Sequence, residues 1–138
     1  MIGMIEADQV RRLAALAGWL GIVVIAVLSL VPGDYRPHTF LPGPAEHVLA
    51  YALTGMALAI GYPQTRPRVL WFLGLSAAGA LFEVLQLWDP GRSPSIIDVA
   101  ACSSGAALGM FFGTLVSRLW STNFERDARE QERVSTRA

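Results

Sequence analysis

The run LAALAGWLGIVVIAVLSLV, residues 13–31, decides the fold, because nineteen successive positions contain no acidic, basic or histidine side chain. At 1.5 Å rise per residue such a run forms a helix about 28 Å long, close to the hydrocarbon thickness of a bilayer. Arg11 and Arg12 precede it, as they would in a secretory signal peptide. The apolar part is too long for that reading, however, and residues 29–33 lack a small-x-small cleavage pattern, so the run reads as an anchored helix.

Working outward, three more segments meet the same length rule: residues 45–62, 69–88 and 96–120. The chain has 138 residues, of which 53% are hydrophobic and 16% charged, more apolar surface than one small soluble core can bury. The expected fold class is therefore all-α, an integral membrane bundle of four transmembrane helices in a multi-pass protein. Proline and glycine punctuate the connections at Pro32-Gly33, Pro42-Gly43-Pro44, Pro63 to Pro67 and Pro90-Gly91. The connections are short, so consecutive spans should lie antiparallel and adjacent.

All eleven basic residues are arginines, and their placement orients the bundle. With the N-terminus inside, Arg11, Arg12, Arg66, Arg68 and Arg118 are cytoplasmic, and Arg36 and Arg92 face out, so both termini are expected in the cytoplasm. The expected organisation is a cytoplasmic N-terminal segment (1–12), a membrane domain (13–120) and a mobile polar cytoplasmic tail (121–138). Net charge is formally zero, which gives no basic patch for nucleic acid. The single cysteine, Cys102, can form no internal disulfide and reads as packing.

Residues 101, 105, 109 and 113 are Ala, Gly, Gly and Gly. Spaced by four, they place a smooth stripe on one face of the last span, where a neighbouring backbone can approach closely. Gly79 lies one turn before Glu83 on the third span, so a helix could also come close beside that carboxylate.

Glu83 itself is the residue that points to function. A carboxylate inside an apolar span costs roughly 3 kcal/mol even on permissive insertion scales, so it needs partners and a purpose. By depth and spacing the candidates to share its pocket are His47, Tyr51, Gln86, Arg92, Ser95 and Asp98. His47 and Tyr51 share a face by their spacing of four, as do Glu83 and Gln86 by three. Ser95 to Asp98 has the pattern of a capping box, with Asp98 at the third helical position, so Asp98 serves capping and the pocket equally well. Arg92 stands just outside that helix start, where an anion would be attracted; it could equally neutralise Glu83, Asp89 or Asp98. No HxxxH or CxxC spacing is present, so the sequence predicts neither a metal nor another cofactor. His47 and Glu83 are the candidates for a general acid or base, but no nucleophile motif accompanies them.

The run from Glu83 through Gln86, Pro90-Gly91-Arg92, Ser95 and Asp98 to Gly105 and Gly109 resembles the signature of the VanZ-like family: E-x-x-Q, P-G-R-x-x-S, D, then glycines. His47 to Tyr51 is similar to the family's H-x-x-x-Y element. The likeness covers residues 45–113. It implies a small four-span protein of the bacterial inner (cytoplasmic) membrane, acting at the cell envelope, in a family named after a teicoplanin resistance determinant. Gly43-Pro44 replaces the Asp-Lys pair often found before the histidine, and Cys102 replaces an asparagine often found after the aspartate. The expected partners are membrane lipids, with an anionic lipid or lipid-linked envelope precursor in an externally facing polar pocket. Two rivals stand beside this: a membrane enzyme using His47 or Glu83 on a lipid headgroup, and a polar cluster that only clamps the helices. The oligomeric state is left open.

Overall fold

A computed structural model describes the backbone over residues 2–32, 40–88 and 95–135, and side chains over 7–32, 40–88 and 95–122. Arg36, Asp89 and Arg92 lie outside the described residues. Within them the protein is all-helical: α1 (Ile2–Leu30), α2 (Gly43–Gly61), α3 (Thr65–Leu85) followed by a 3₁₀ turn (Gln86–Trp88), and α4 (Ile96–Ser135).

Helix ends follow the punctuation. Pro42 precedes α2 and Pro44 sits in its first turn, where a missing N–H costs nothing; the Pro42 carbonyl accepts from the amides of Ala45 and Glu46 at 2.9 and 3.2 Å. Pro63 follows the C-cap Tyr62, whose N–H closes on the Leu58 carbonyl. Arg68 then caps α2 from α3, donating from Nε and Nη2 to the Ala59 carbonyl at 3.2 and 3.0 Å. A cation on the last turn of a helix meets the negative end of its dipole.

Two helices extend beyond their apolar runs. α1 begins at Ile2 and not near residue 13, and its polar first half carries an i,i+4 pair, Asp8 with Arg12 at 2.9 Å. α4 continues past Trp120 to Ser135, through the segment of alternating charges. Hydropathy marks where lipid ends, whereas backbone hydrogen bonding carries the helix on.

Three segments are long and apolar enough to cross a membrane: Ala7–Leu30, Thr65–Trp88 and Ile96–Thr122. α2 is the central helix, packed on α4 along its length and on α1. The stripe on α4 makes that packing close. A Cβ at Gly105 would meet the Val48 backbone, one at Gly109 the Ala52 backbone, and one at Gly113 the Met56 carbonyl at 2.6 Å. Every fourth residue of α4 thus meets backbone at every fourth residue of α2, with the Cβ atoms of Tyr51 and Ala59 beside the contacts at Gly105 and Gly113. On the α1 side Gly18 and Gly21 make room for the side chains of Leu58 and Thr54, and Gly61 lies against the Ala15 backbone.

The distribution of side chains departs from that of a soluble protein. Leu13, Leu70, Leu73, Phe111 and Leu119 are more than half exposed, while the interior holds the polar Thr54, Glu83 and Gln86 beside Ile25, Tyr51, Leu58, Leu75, Cys102 and Met110. Many large apolar residues outside and several polar ones inside suit lipid as a solvent. At the end of the bundle that carries Arg68 and Arg118, Trp19 donates to the Tyr62 hydroxyl at 3.1 Å and packs edge-on against Trp71, 5.1 Å between centroids. Such amphipathic rings suit the membrane interface.

Candidate functional site at one end of the bundle

The opposite end gathers the start of α2, the end of α3 and the start of α4. Each contributes one titratable group: His47 from the second turn of α2, Glu83 from the last turn of α3 and Asp98 from the first turn of α4. One donor atom from each lies within 4.8 Å of the other two. Glu83 is 6% exposed; His47 and Asp98 are half-buried.

Ser95 ties α3 to α4. Its hydroxyl oxygen accepts from the Ile97 N–H at 3.1 Å, and its carbonyl accepts from the amides of Asp98 and Val99 at 3.0 and 3.3 Å. In a capping box the third-position acid would accept from the Ser95 N–H. Here that N–H donates instead to Glu83 Oε2 at 2.9 Å, so α3 supplies the cap of α4. Asp98 is released from capping, and its Oδ1 is shut off from solvent with no hydrogen-bond partner. A buried acceptor left in this state costs about 1–3 kcal/mol, more when charged, and calls for an electropositive partner.

Beneath the three groups lies Tyr51, 1% exposed, in hydrogen-bonding contact with Cys102, which is 2% exposed. Gly79 permits this: a Cβ there would stand 2.8 Å from that of Cys102 and 3.3 Å from the tyrosine hydroxyl. Tyr51 therefore closes the floor of the site, and Cys102 supports it.

Gln86 turns away from the trio. Its Nε2 donates to the Ser29 carbonyl at 3.2 Å, both residues buried, which fastens the end of α1 to the end of α3. That carbonyl is one of the last four of α1, which lack partners within the helix. An open cleft of about 180 Å³ lies beside this bond, lined by Ser29, Leu30, Pro32, Leu85, Gln86 and Trp88. Of the seven residues expected at the pocket, the structure brings together His47, Glu83, Asp98 and Ser95, sets Tyr51 below and Gln86 to one side, and leaves Arg92 outside the described residues. Ser29 was not expected there; a main-chain carbonyl at a helix end carries no residue-type signal.

The carboxylates give the site its chemistry. Two acidic groups and one imidazole carry at most one positive charge against two negative ones. Among the described residues no arginine forms an ion pair with Glu83 or Asp98. No protein-family model matches the chain, and neither a curated protein nor a solved structure matches it significantly.

Proposed function

We propose that this is a VanZ-like protein of the bacterial cytoplasmic membrane, with four spans and both termini in the cytoplasm. Its externally facing site binds the headgroup of an anionic lipid or a lipid-linked envelope precursor. The observation that carries the reading is the orphaned Asp98 Oδ1, beside His47 and Glu83 at the end of three helices. A purely structural clamp calls for every member to be satisfied within the protein, and Asp98 Oδ1 is not.

The four-span topology is supported by the place of α2. It is 19 residues long and packs between α1 and α4, each of which contains a segment apolar enough to cross. Its polar residues Glu46 and His47 sit at its end, where headgroups begin. The arginine-rich end is then cytoplasmic and the trio faces out.

The amides of Ser95, Ile97, Asp98 and Val99 are already bonded, so the helix start has little left for an anion. Recognition therefore rests on the acidic side: a headgroup would meet the carboxylates through hydroxyls, an ammonium or a cation, with Arg92 as the sequence's own counterpart for phosphate. The cleft beside Gln86, apolar at Leu30, Leu85 and Trp88, suits an acyl or prenyl chain.

Native mass spectrometry of protein released from membranes tests this. Wild type should retain phosphate-bearing lipids through collisional activation, and Asp98→Asn and Arg92→Ala should lose them selectively. Identical lipid profiles in all three refute the reading.

A further inference from the structure

We propose that His47, Glu83 and Asp98 hold a divalent transition-metal ion, with Zn²⁺ the best match, and that this ion is the electropositive partner the site lacks. The inference deepens the headgroup reading and rests on it only for what occupies the remaining coordination position.

Geometry comes first. Three atoms no more than 4.8 Å apart can all be reached from a centre about 2.8 Å away from each. Bonds of about 2.0–2.2 Å to imidazole nitrogen and carboxylate oxygen require each side chain to close by about 0.6–0.8 Å, within ordinary side-chain adjustment. The donors come from three helices that the glycine stripe and the Ser95 bond hold together, so they converge on one point without any short ligand spacing in sequence.

The second argument is independent of that distance. Asp98 Oδ1 is sealed from solvent and makes no hydrogen bond, though the same residue would ordinarily serve the helix start. The N–H that would have used it is taken by Glu83 Oε2. This bond also fixes the orientation of the Glu83 carboxylate, which is what a supporting hydrogen bond does for a metal ligand.

Charge decides the type of ion. With His47 neutral and ligating, two carboxylates balance a 2+ ion and leave a neutral site, the inexpensive state at membrane depth. A nitrogen donor with two oxygens suits Zn²⁺, and Mn²⁺ less well; Mg²⁺ and Ca²⁺ prefer all-oxygen sites. Three protein ligands leave a fourth position open, where a phosphate or hydroxyl oxygen of a headgroup can bind the ion directly. An acidic pocket can thereby recognise an anion.

The test uses the full-length protein in detergent, stripped with a chelator and titrated with Zn²⁺ alone, and separately with Co²⁺ as a spectroscopic probe. We expect one equivalent of Zn²⁺ per chain, a rise in Tm, and Co²⁺ absorption bands of a low-coordinate site. His47→Gln, Glu83→Gln and Asp98→Asn should each weaken binding at least tenfold and abolish the bands. Asp8→Asn, at the far end of α1, should change neither. Unreactive Cys102 in each variant certifies the fold. No stoichiometric binding by wild type, or equal binding by wild type and all three variants, overturns the proposal. Lipid retention measured with and without chelator separates the two readings. Zn²⁺ binding without lipid selectivity sinks the headgroup reading alone; chelator-resistant lipid selectivity with no metal bound sinks the metal site alone.

Discussion

Replacing Gly109 by alanine adds one methyl group at the closest approach of α2 and α4, and its cost can be worked from the structure. The new Cβ would fall on the Ala52 carbonyl oxygen and stand 2.8 Å from both the Ala52 carbonyl carbon and the Met56 nitrogen, against 3.4 Å for ordinary contact. All three atoms are main chain inside a helix, so no rotamer change relieves them. The carbonyl oxygen sets the movement: the helices must part by about 1 Å or more, which loosens the packing at Gly105 and Gly113 as well. Overpacking of this kind costs about 1–3 kcal/mol, which raises the fraction of molecules with α2 and α4 separated by about 5- to 150-fold. Cys102 reports that fraction, because it projects from α4 into a buried position against Tyr51 of α2 and Gly79 of α3 and is the chain's single thiol. Maleimide labelling in micelles, followed by mass spectrometry, should accelerate by that factor in Gly109→Ala. Gly74→Ala is the matched control: a Cβ there meets nothing within 4 Å, so labelling should be unchanged or slower. If both variants label at the wild-type rate, the two backbones are not in contact and the close pairing of α2 with α4 is wrong.

Four further outcomes follow from other contacts. Arg68→Leu removes both donors to the Ala59 carbonyl and should lower stability by about 1–3 kcal/mol, with Arg68→Lys recovering part of it; Tm in micelles checks this. Gln86→Leu frees the Ser29 carbonyl and should speed hydrogen exchange at the end of α1 while leaving Zn²⁺ binding within twofold of wild type; a large loss of binding would return Gln86 to the site. Wild-type Cys102 should resist maleimide in mild detergent and react fully in sodium dodecyl sulfate, and rapid labelling in both would mean that it is exposed. Reporter fusions at residues 1 and 138 should both be active only as cytoplasmic reporters, and a split result would leave an odd number of spans.

The all-helical fold and its three segments long and apolar enough to cross a membrane were legible because they depend on sums over twenty residues, which one-dimensional hydropathy captures. The stripe at Gly105, Gly109 and Gly113 was legible for the same kind of reason: spacing by four fixes a face, and a face of glycines can only meet a backbone. What was not legible depends on which of several partners a group chooses. Nothing in Ser95 to Asp98 says that the Ser95 amide will turn to a carboxylate twelve residues earlier, because that choice is made by how α3 ends in a 3₁₀ turn. Gln86 shares a face with Glu83 by spacing, yet the tighter turn that begins at Gln86 swings it onto α1. Hydropathy bounds the apolar runs and not the helices: α1 starts before residue 13 and α4 continues past residue 120, where no apolar run marks them.

The absence of a ligand spacing such as HxxxH describes one helix only. His47, Glu83 and Asp98 lie one on each of three helices, and it is their meeting that has an energetic consequence. Two ionised carboxylates within 4.8 Å repel by about 3.5 kcal/mol at an effective dielectric constant of 20. The hydrogen bond from Ser95 to Glu83 returns about 1.5–3 kcal/mol, and the unpartnered Asp98 oxygen adds a cost of its own. His47 offers at most one compensating charge. Packing alone would be served better by replacing Glu83 with glutamine, which keeps an acceptor for the Ser95 amide, or by leucine at position 98. Keeping both acids at the same point, at the end of three helices, is a cost that the proposed metal ion would offset.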